Sequence, residues 1–251
     1  MDNGNKEKIE IDTQNNENGE KKKSNKKIII SFILAFILVA LLIVSFATIL
    51  NINKIETPPA PRPDPDFPIM IYKPIIYLYP EEEMQITVTL GKYEKVTCIY
   101  PEYKDGWKVI AKPNGDLIDL NTGRNLYALY WEGVSNVDIS DNSGFVVKGI
   151  DTAKFLEEKL AILGLSDREA QEFIIYWLPQ MQNSNYNYIR FATMDEINKL
   201  MPLHFSTEPD SLIRVFMTFK PLNKYIDVPE QKLTTPTREN FVVVEWGGSK
   251  L

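Results

Sequence analysis

The longest apolar run of the chain lies near its N-terminus, between Ile28 and Leu50, where no residue is charged. As an α-helix rising about 1.5 Å per residue, this run would be about 35 Å long, enough to cross a hydrocarbon core of about 30 Å. Lysines crowd positions 21–27 just before it, and such positive charge stays on the cytoplasmic side. The long polar leader favours an uncleaved anchor over a cleaved signal peptide. We therefore expect residues 28–50 to form a single transmembrane helix with a cytoplasmic N-terminus.

The segments on either side of this run have little capacity to form a core. Residues 1–27 are rich in Asn, Lys and Glu, so we predict a disordered cytoplasmic tail. Residues 51–66 are dense in proline, which favours an extended polyproline II conformation. We interpret this segment as a stalk that holds residues 67–251, the predicted extracytoplasmic domain, away from the membrane; a ligand for a proline-recognising partner is the alternative.

Alternating or uniformly apolar short runs predict that β-strands dominate the domain. Met84–Leu90 alternates between polar and apolar residues, which is typical of a half-buried strand. Asn114-Gly115 between two apolar runs predicts a hairpin, and the early strands together favour an antiparallel meander. The predicted strands are Ile75–Tyr79, Met84–Leu90, Lys95–Tyr100, Trp107–Ala111, Leu117–Leu120, Leu126–Trp131, Phe145–Lys148, Tyr186–Ala192, Leu203–Phe205, Leu212–Phe219 and Phe241–Trp246.

Two amphipathic helices interrupt the strands. The first begins at Asp151 or Thr152 and ends at Gly164, and a capping box from Ser166 to Glu169 opens the second. Because the connection between them is short, we expect an antiparallel pair whose apolar stripes both face the sheet. The predicted fold class is α+β: an N-terminal transmembrane helix, then a mainly antiparallel β domain with an inserted helix pair.

Charge and the scarcity of reactive residues exclude several classes of function. The net charge of −6 argues against a nucleic-acid-binding protein, which needs a basic face. Cys98 is the single cysteine and His204 the single histidine, and we expect both to pack as apolar residues. One cysteine provides neither a disulfide within the chain nor a cysteine-based metal site. We predict no metal and no cofactor.

The candidate chemistry lies in two similar clusters at predicted strand ends. One contains Trp131 and Glu132, and the other contains Glu245 and Trp246; each is followed by glycine. A tryptophan face beside a carboxylate suits a sugar or a peptide, and two opposed carboxylates about 5–10 Å apart suit glycoside hydrolysis. The alternative to a binding or catalytic site is that both tryptophans pack in the hydrophobic core. Arg190 and Arg214, in apolar strands, must reach solvent or pair with a carboxylate such as Glu132 or Glu245.

Three stretches of the domain resemble an uncharacterised bacterial family of extracytoplasmic domains. They are Lys73–Pro80 (KPIIYLYP), Phe173–Pro179 (FIIYWLP) and Val243–Gly248 (VVEWGG). The resemblance implies a membrane-anchored domain at the bacterial surface and carries no activity or site residue with it.

We therefore interpret the chain as an anchored module that binds a cell-wall glycan, a peptide or an envelope protein. An envelope glycan hydrolase and a structural envelope subunit are the alternatives. Enzymatic activity stays open, with binding favoured over catalysis.

Overall fold

The computed structural model describes residues 33–46, 68–139 and 142–251, and the chain divides into two compact units, 1–56 and 57–251. The predicted tail (1–27) and stalk (51–66) lie outside the described residues, as do both ends of the predicted transmembrane helix. Residues 33–46 form a helix, α1, whose side chains are exposed. Within the described part of the chain, no helix is both long enough and apolar enough to span a membrane.

The second unit is an α+β domain, as the hydrophobic pattern predicts. Its strands are β1 Ile69–Tyr79, β2 Met84–Leu90, β3 Val96–Tyr100, β4 Trp107–Ala111, β5 Leu117–Asp119, β6 Asn125–Leu126, β7 Leu129–Ser135, β8 Phe145–Lys148, β9 Tyr186–Phe191, β10 Leu203–Phe205, β11 Ser211–Leu222 and β12 Val242–Lys250. Its helices are α2 Thr152–Ile162, α3 Asp167–Met181 and α4 Met194–Leu200.

The strands belong to two sheets, so the predicted simple meander is wrong. A seven-stranded sheet has the order β3-β7-β1-β12-β11-β9-β8, and a five-stranded sheet has the order β10-β2-β4-β5-β6. All pairs are antiparallel except β11 and β12, which run parallel. The run predicted as one strand, Leu126–Trp131, is divided: its start pairs with β5 in the small sheet and its end pairs with β1 in the large one. A local apolar pattern cannot indicate which sheet a strand joins.

Two hydrophobic cores give the domain three layers. One core lies between the two sheets and is closed by α4; it contains Ile76, Val88 and Trp107. The other lies on the opposite face of the large sheet, beneath α2 and α3, and contains Leu160 and Phe173. Both helix stripes face the sheet as predicted. Because the large sheet is covered on both faces at its centre, β12 is an almost continuous run of buried residues.

Local backbone signals fix the ends of the helices. Gly164 has a φ of +85°, which glycine adopts without steric cost, and it follows α2 as predicted. Both hydrogen bonds of the Ser166 capping box are present at the start of α3. An equivalent box from Thr193 to Glu196 opens α4, a helix that the hydrophobic pattern does not predict. Seven residues are too few for a clear helical period to emerge.

Cys98 and His204 are exposed, contrary to the expectation that both pack as apolar residues. Cys98 lies on β3 and His204 on β10, and each of these strands is at the edge of its sheet. An edge strand has fewer neighbours to cover its side chains, which explains the exposure within a locally apolar sequence.

Candidate functional site

The two predicted clusters are each divided between the faces of the large sheet. Side chains alternate along a strand, so Trp131 and Glu132 project to opposite sides, as do Glu245 and Trp246. Trp131 lies in the core between the sheets, whereas Trp246 lies in the core beneath the helices. The structure therefore joins Trp131 with Glu245 and leaves Glu132 and Trp246 on the other face.

Glu245 is the acceptor of a buried ion pair. Its Oε2 is 2.6 Å from Nε of Arg214, and its Oε1 accepts a hydrogen bond of 3.0 Å from the indole of Trp131. The other guanidinium nitrogens of Arg214 donate to the Asn198 side chain and to the Met201 carbonyl, both at 2.8 Å. Each guanidinium nitrogen of Arg214 thus has an acceptor within the protein, which makes the pair structural.

The buried tryptophans offer no stacking surface. Trp131 is 2 % exposed and Trp246 is fully buried, so neither ring presents a face to a sugar. Glu132 and Glu245 point to opposite faces of the sheet, which is not the arrangement that a pair of catalytic carboxylates requires. Both tryptophans therefore belong to the hydrophobic cores, and a candidate binding surface lies elsewhere in the domain.

An open part of the large sheet provides that surface. The helix pair covers the sheet from β8 to β12 and α3 reaches β1, where Glu172 accepts a hydrogen bond of 2.6 Å from the hydroxyl of Tyr77. Beyond α3, Tyr79 of β1, Tyr130 and Glu132 of β7, and Tyr100 of β3 are half-buried or exposed on this face. We call this surface the tyrosine shelf and define it by Lys73, Tyr79, Tyr100, Tyr127, Tyr130, Glu132, Arg168 and Tyr176.

A cleft of about 240 Å³ opens at one end of the tyrosine shelf. Arginines lie over two of its rings: Arg168 is 5.7 Å from the centroid of Tyr127, and Arg238 is 5.2 Å from that of Tyr79. The β4–β5 turn supplies a wall, and Gly115 is required there because a Cβ would approach the Tyr79 ring to 2.6 Å. The cleft thus combines aromatic faces with cations.

A lysine lies between two tyrosine rings at the other end. The ammonium of Lys73 is 5.5 Å from the Tyr130 centroid and 5.6 Å from that of Tyr176. The backbone N–H of Lys73 donates to Oε1 of Glu132 at 3.1 Å. Tyr130 and Glu132 come from β7, Lys73 comes from β1 and Tyr176 comes from α3, so this end is assembled from three elements.

The tyrosines of this region act as hydrogen-bond donors. Burial and then the Glu172 carboxylate raise the pKa of Tyr77 above its ordinary value. Burial, followed by Glu169, does the same to the pKa of Tyr79, and burial followed by Glu132 raises the pKa of Tyr130. A phenol whose pKa is raised stays protonated at neutral pH, so these hydroxyls donate hydrogen bonds and do not serve as bases.

Three stretches of the chain, Lys73–Pro80, Phe173–Pro179 and Val243–Gly248, meet in the core under α3, beside the tyrosine shelf. The indole of Trp246 donates to the hydroxyl of Tyr77 at 3.2 Å, and its ring packs edge-on against Phe173 at 5.4 Å between centroids. Trp177 contacts the strand at Gly248, where a Cβ would lie 2.8 Å from the indole ring. These three stretches therefore form the core that lies next to the surface.

Of the candidates chosen from the sequence, only Glu132 belongs to the tyrosine shelf. The abundance of tyrosine was visible in the sequence, but its concentration on one face required knowledge of strand order. Within residues 33–46, 68–139 and 142–251, no group of three His, Cys, Asp or Glu side chains is placed to hold a metal ion. In comparisons with known proteins, no family model, no curated protein and no solved structure matches this chain.

Proposed function

We propose that the chain is a membrane-anchored module of the bacterial cell envelope whose tyrosine shelf binds wall glycan. The observation that carries the proposal is the row of half-buried and exposed tyrosines on the part of the sheet that the helices leave uncovered. Tyr100 and Tyr127 are 49 % and 48 % exposed, so their rings are accessible.

Aromatic rings beside polar groups suit the chemistry of sugars. The C–H face of a sugar ring packs on an aromatic face, while phenol hydroxyls and carboxylates exchange hydrogen bonds with its hydroxyls. Strands lie about 4.8 Å apart, so the distance from β1 to β3 is about 10 Å, wide enough for a glycan chain. Arg168 and Glu132 provide a donor and an acceptor at the border of the shelf.

Anchoring places the module beside its ligand. The apolar run 28–50 and the lysines before it support an N-terminus inside the cell and the domain outside. A tethered domain meets the wall at a high effective concentration, so that moderate affinity per site is sufficient.

The two alternative functions have less support. Glycan hydrolysis by Glu132 and Glu245 would need both carboxylates on one side of the sheet, but alternation along the strands separates them. A structural subunit would show a contiguous apolar patch. The most exposed isoleucines of the domain, Ile150 before α2 and Ile175 on α3, belong to different elements and are 83 % and 67 % exposed.

The test is co-sedimentation of the full-length chain with purified bacterial sacculi in detergent solution. We expect the native chain to pellet with sacculi and Tyr100→Ala/Tyr127→Ala to bind about 5- to 140-fold more weakly, because each lost aromatic contact costs about 0.5–1.5 kcal/mol. Tyr225→Ala is the matched control, since Tyr225 is 56 % exposed and lies outside the tyrosine shelf.

Failure of the native chain to pellet would contradict glycan binding and direct attention to an envelope protein as the partner. Equal binding by the native chain and the double variant would place the site outside the tyrosine shelf.

A further inference from the structure

Lys73 is the cation of the tyrosine shelf that lacks an anionic partner. No carboxylate oxygen of the described residues lies within 4.0 Å of its ammonium. The arginines at the opposite end differ, since Arg168 pairs with Glu172 at 3.3 Å and Arg238 pairs with Glu169 at 2.9 Å. Among the described residues, the ammonium of Lys73 therefore forms no direct ion pair, although the Glu132 carboxylate accepts from the backbone N–H of the same residue.

The position of this ammonium is fixed by aromatic contacts. The rings of Tyr130 and Tyr176 lie 5.5 and 5.6 Å away, within the range at which a cation is attracted to an aromatic face. An ammonium held by rings keeps its hydrogen-bond donors available, because a ring is not a strong acceptor. A ligand oxygen arriving between the two tyrosines would find a cation already in place.

The backbone at Lys73 is strained. Its φ is +61°, a region that residues other than glycine rarely occupy, and Pro74 restricts it further. The register of β1 shifts on both sides at this point. Glu132 holds the Lys73 N–H, and Pro74 lies so close to Gly247 that a Cβ there would be 3.0 Å from the proline nitrogen. Lys73 is half-buried, and backbone strain of this kind clusters at functional sites, where the surrounding structure holds it in place.

From these observations we infer that the ligand of the tyrosine shelf carries a carboxylate and that Lys73 binds it. The inference rests on the proposed function and adds the ligand class to it. The ammonium supplies the counter-charge, and the rings of Tyr130 and Tyr176 pack against the atoms that bear the carboxylate.

The test compares full-length variants on two preparations of sacculi, one untreated and one with its carboxyl groups converted to amides. Lys73→Met removes the charge and keeps the length of the side chain, and Lys73→Arg keeps the charge. We expect the native chain and Lys73→Arg to bind untreated sacculi at least about tenfold more tightly than Lys73→Met does. Amidation should weaken the native chain by a similar factor and leave Lys73→Met unchanged.

A third variant separates binding from folding. Lys73→Gly removes the ammonium and also relieves the positive φ, so it should unfold at the same or a higher urea concentration than the native chain. Weaker binding by a variant that is no less stable supports recognition by the side chain. A purely structural lysine would instead lose stability and binding together.

Two sources of the carboxylate are distinguished by competition. A short peptide with a free C-terminal carboxylate is compared with its C-terminal amide, and an acidic oligosaccharide is compared with a neutral one of equal length. Displacement by the acidic peptide assigns the carboxylate to a peptide of the wall, and displacement by the acidic oligosaccharide assigns it to a sugar.

The inference is overturned if native chain and Lys73→Met bind untreated sacculi within about twofold of each other, or if amidation has no effect; the proposed function then still stands. If the native chain binds neither preparation, both the inference and the proposed function fail.

Discussion

At the scale of single residues, burial decides the roles of the two glutamates that the sequence offered as a pair. Glu245 is 4 % exposed and neutralised by Arg214, whereas Glu132 is half-buried at the edge of an open surface. Both follow or precede a tryptophan in the chain, so their local sequences are alike. The difference arises from the face on which each side chain lies.

Glu245→Gln is expected to lower the free energy of unfolding by about 3–5 kcal/mol, because it leaves Arg214 charged and buried without an anion. Urea unfolding of the full-length chain measures the loss. Tryptophan fluorescence is a suitable signal because all four tryptophans are buried in this domain, at positions 107, 131, 177 and 246.

Glu132→Gln is the control for this prediction and should cost less than about 1 kcal/mol, since its carboxylate is partly solvated and glutamine still accepts from Lys73. Equal losses in the two variants would contradict the distinction between a buried ion pair and a surface acceptor.

At the scale of elements, one glutamate joins the start of α3 to the connection between β11 and β12. Glu169 is fully buried, and its Oε2 accepts from the Ser166 backbone N–H at 2.7 Å. Arg238, in the long connection, binds both of its oxygens at 2.9 and 3.0 Å. A second anchor is Gln231, whose amide exchanges two hydrogen bonds with the backbone of Phe191. These contacts hold an irregular segment against the domain.

This arrangement makes stability depend on pH. Burial by itself raises the pKa of Glu169, but hydrogen bonds from Arg238, Ser166 and Tyr79 outweigh it, so that the pKa is lowered. A carboxylate with a lowered pKa stabilises the folded state above its unfolded pKa of about 4.3, and this contribution is lost as pH falls through the folded value.

Glu169→Gln is therefore expected to lose about 2 kcal/mol of unfolding free energy at pH 7, an amount reduced by the partial exposure of Arg238. The difference in unfolding free energy between the native chain and Glu169→Gln should narrow as pH falls below about 4.3. Urea unfolding at pH 7 and pH 3.5 measures the loss of stability at neutral pH and its decrease at low pH. Glu157→Gln, on the exposed side of α2, is the control and should show no gap at either pH. A difference in unfolding free energy that does not change with pH would contradict the role of the Glu169 negative charge.

At the scale of the whole molecule, the single cysteine provides a direct test of topology. Cys98 is exposed on β3, so a maleimide reagent can reach it without unfolding. If residues 67–251 face outward, a membrane-impermeant maleimide should label intact cells stripped of their wall, and Cys98→Ser should abolish the signal. Labelling that requires lysis of the cells would contradict the proposed location.

The secondary structure of the domain was predictable because most of its signals are local. The Asn114-Gly115 turn, the capping box at Ser166 and the glycine after α2 each act within a few residues, and each occurs where predicted. The tyrosine shelf was not predictable. It combines residues of β1, β3, β7, α3 and the β6–β7 connection, most of them distant in sequence, and the order β3-β7-β1 brings the strands together.

The sequence by itself determined the α+β class, the two helices with their apolar stripes toward the sheet, and the ends of those helices, because periodicity and capping are properties of short segments. Tertiary structure alone decided which sheet each strand joins, that Glu245 meets Arg214 and Trp131, and that Lys73 lies between two tyrosines. These outcomes depend on long-range strand pairing and on which face the helices cover, neither of which is encoded in any single stretch of the chain.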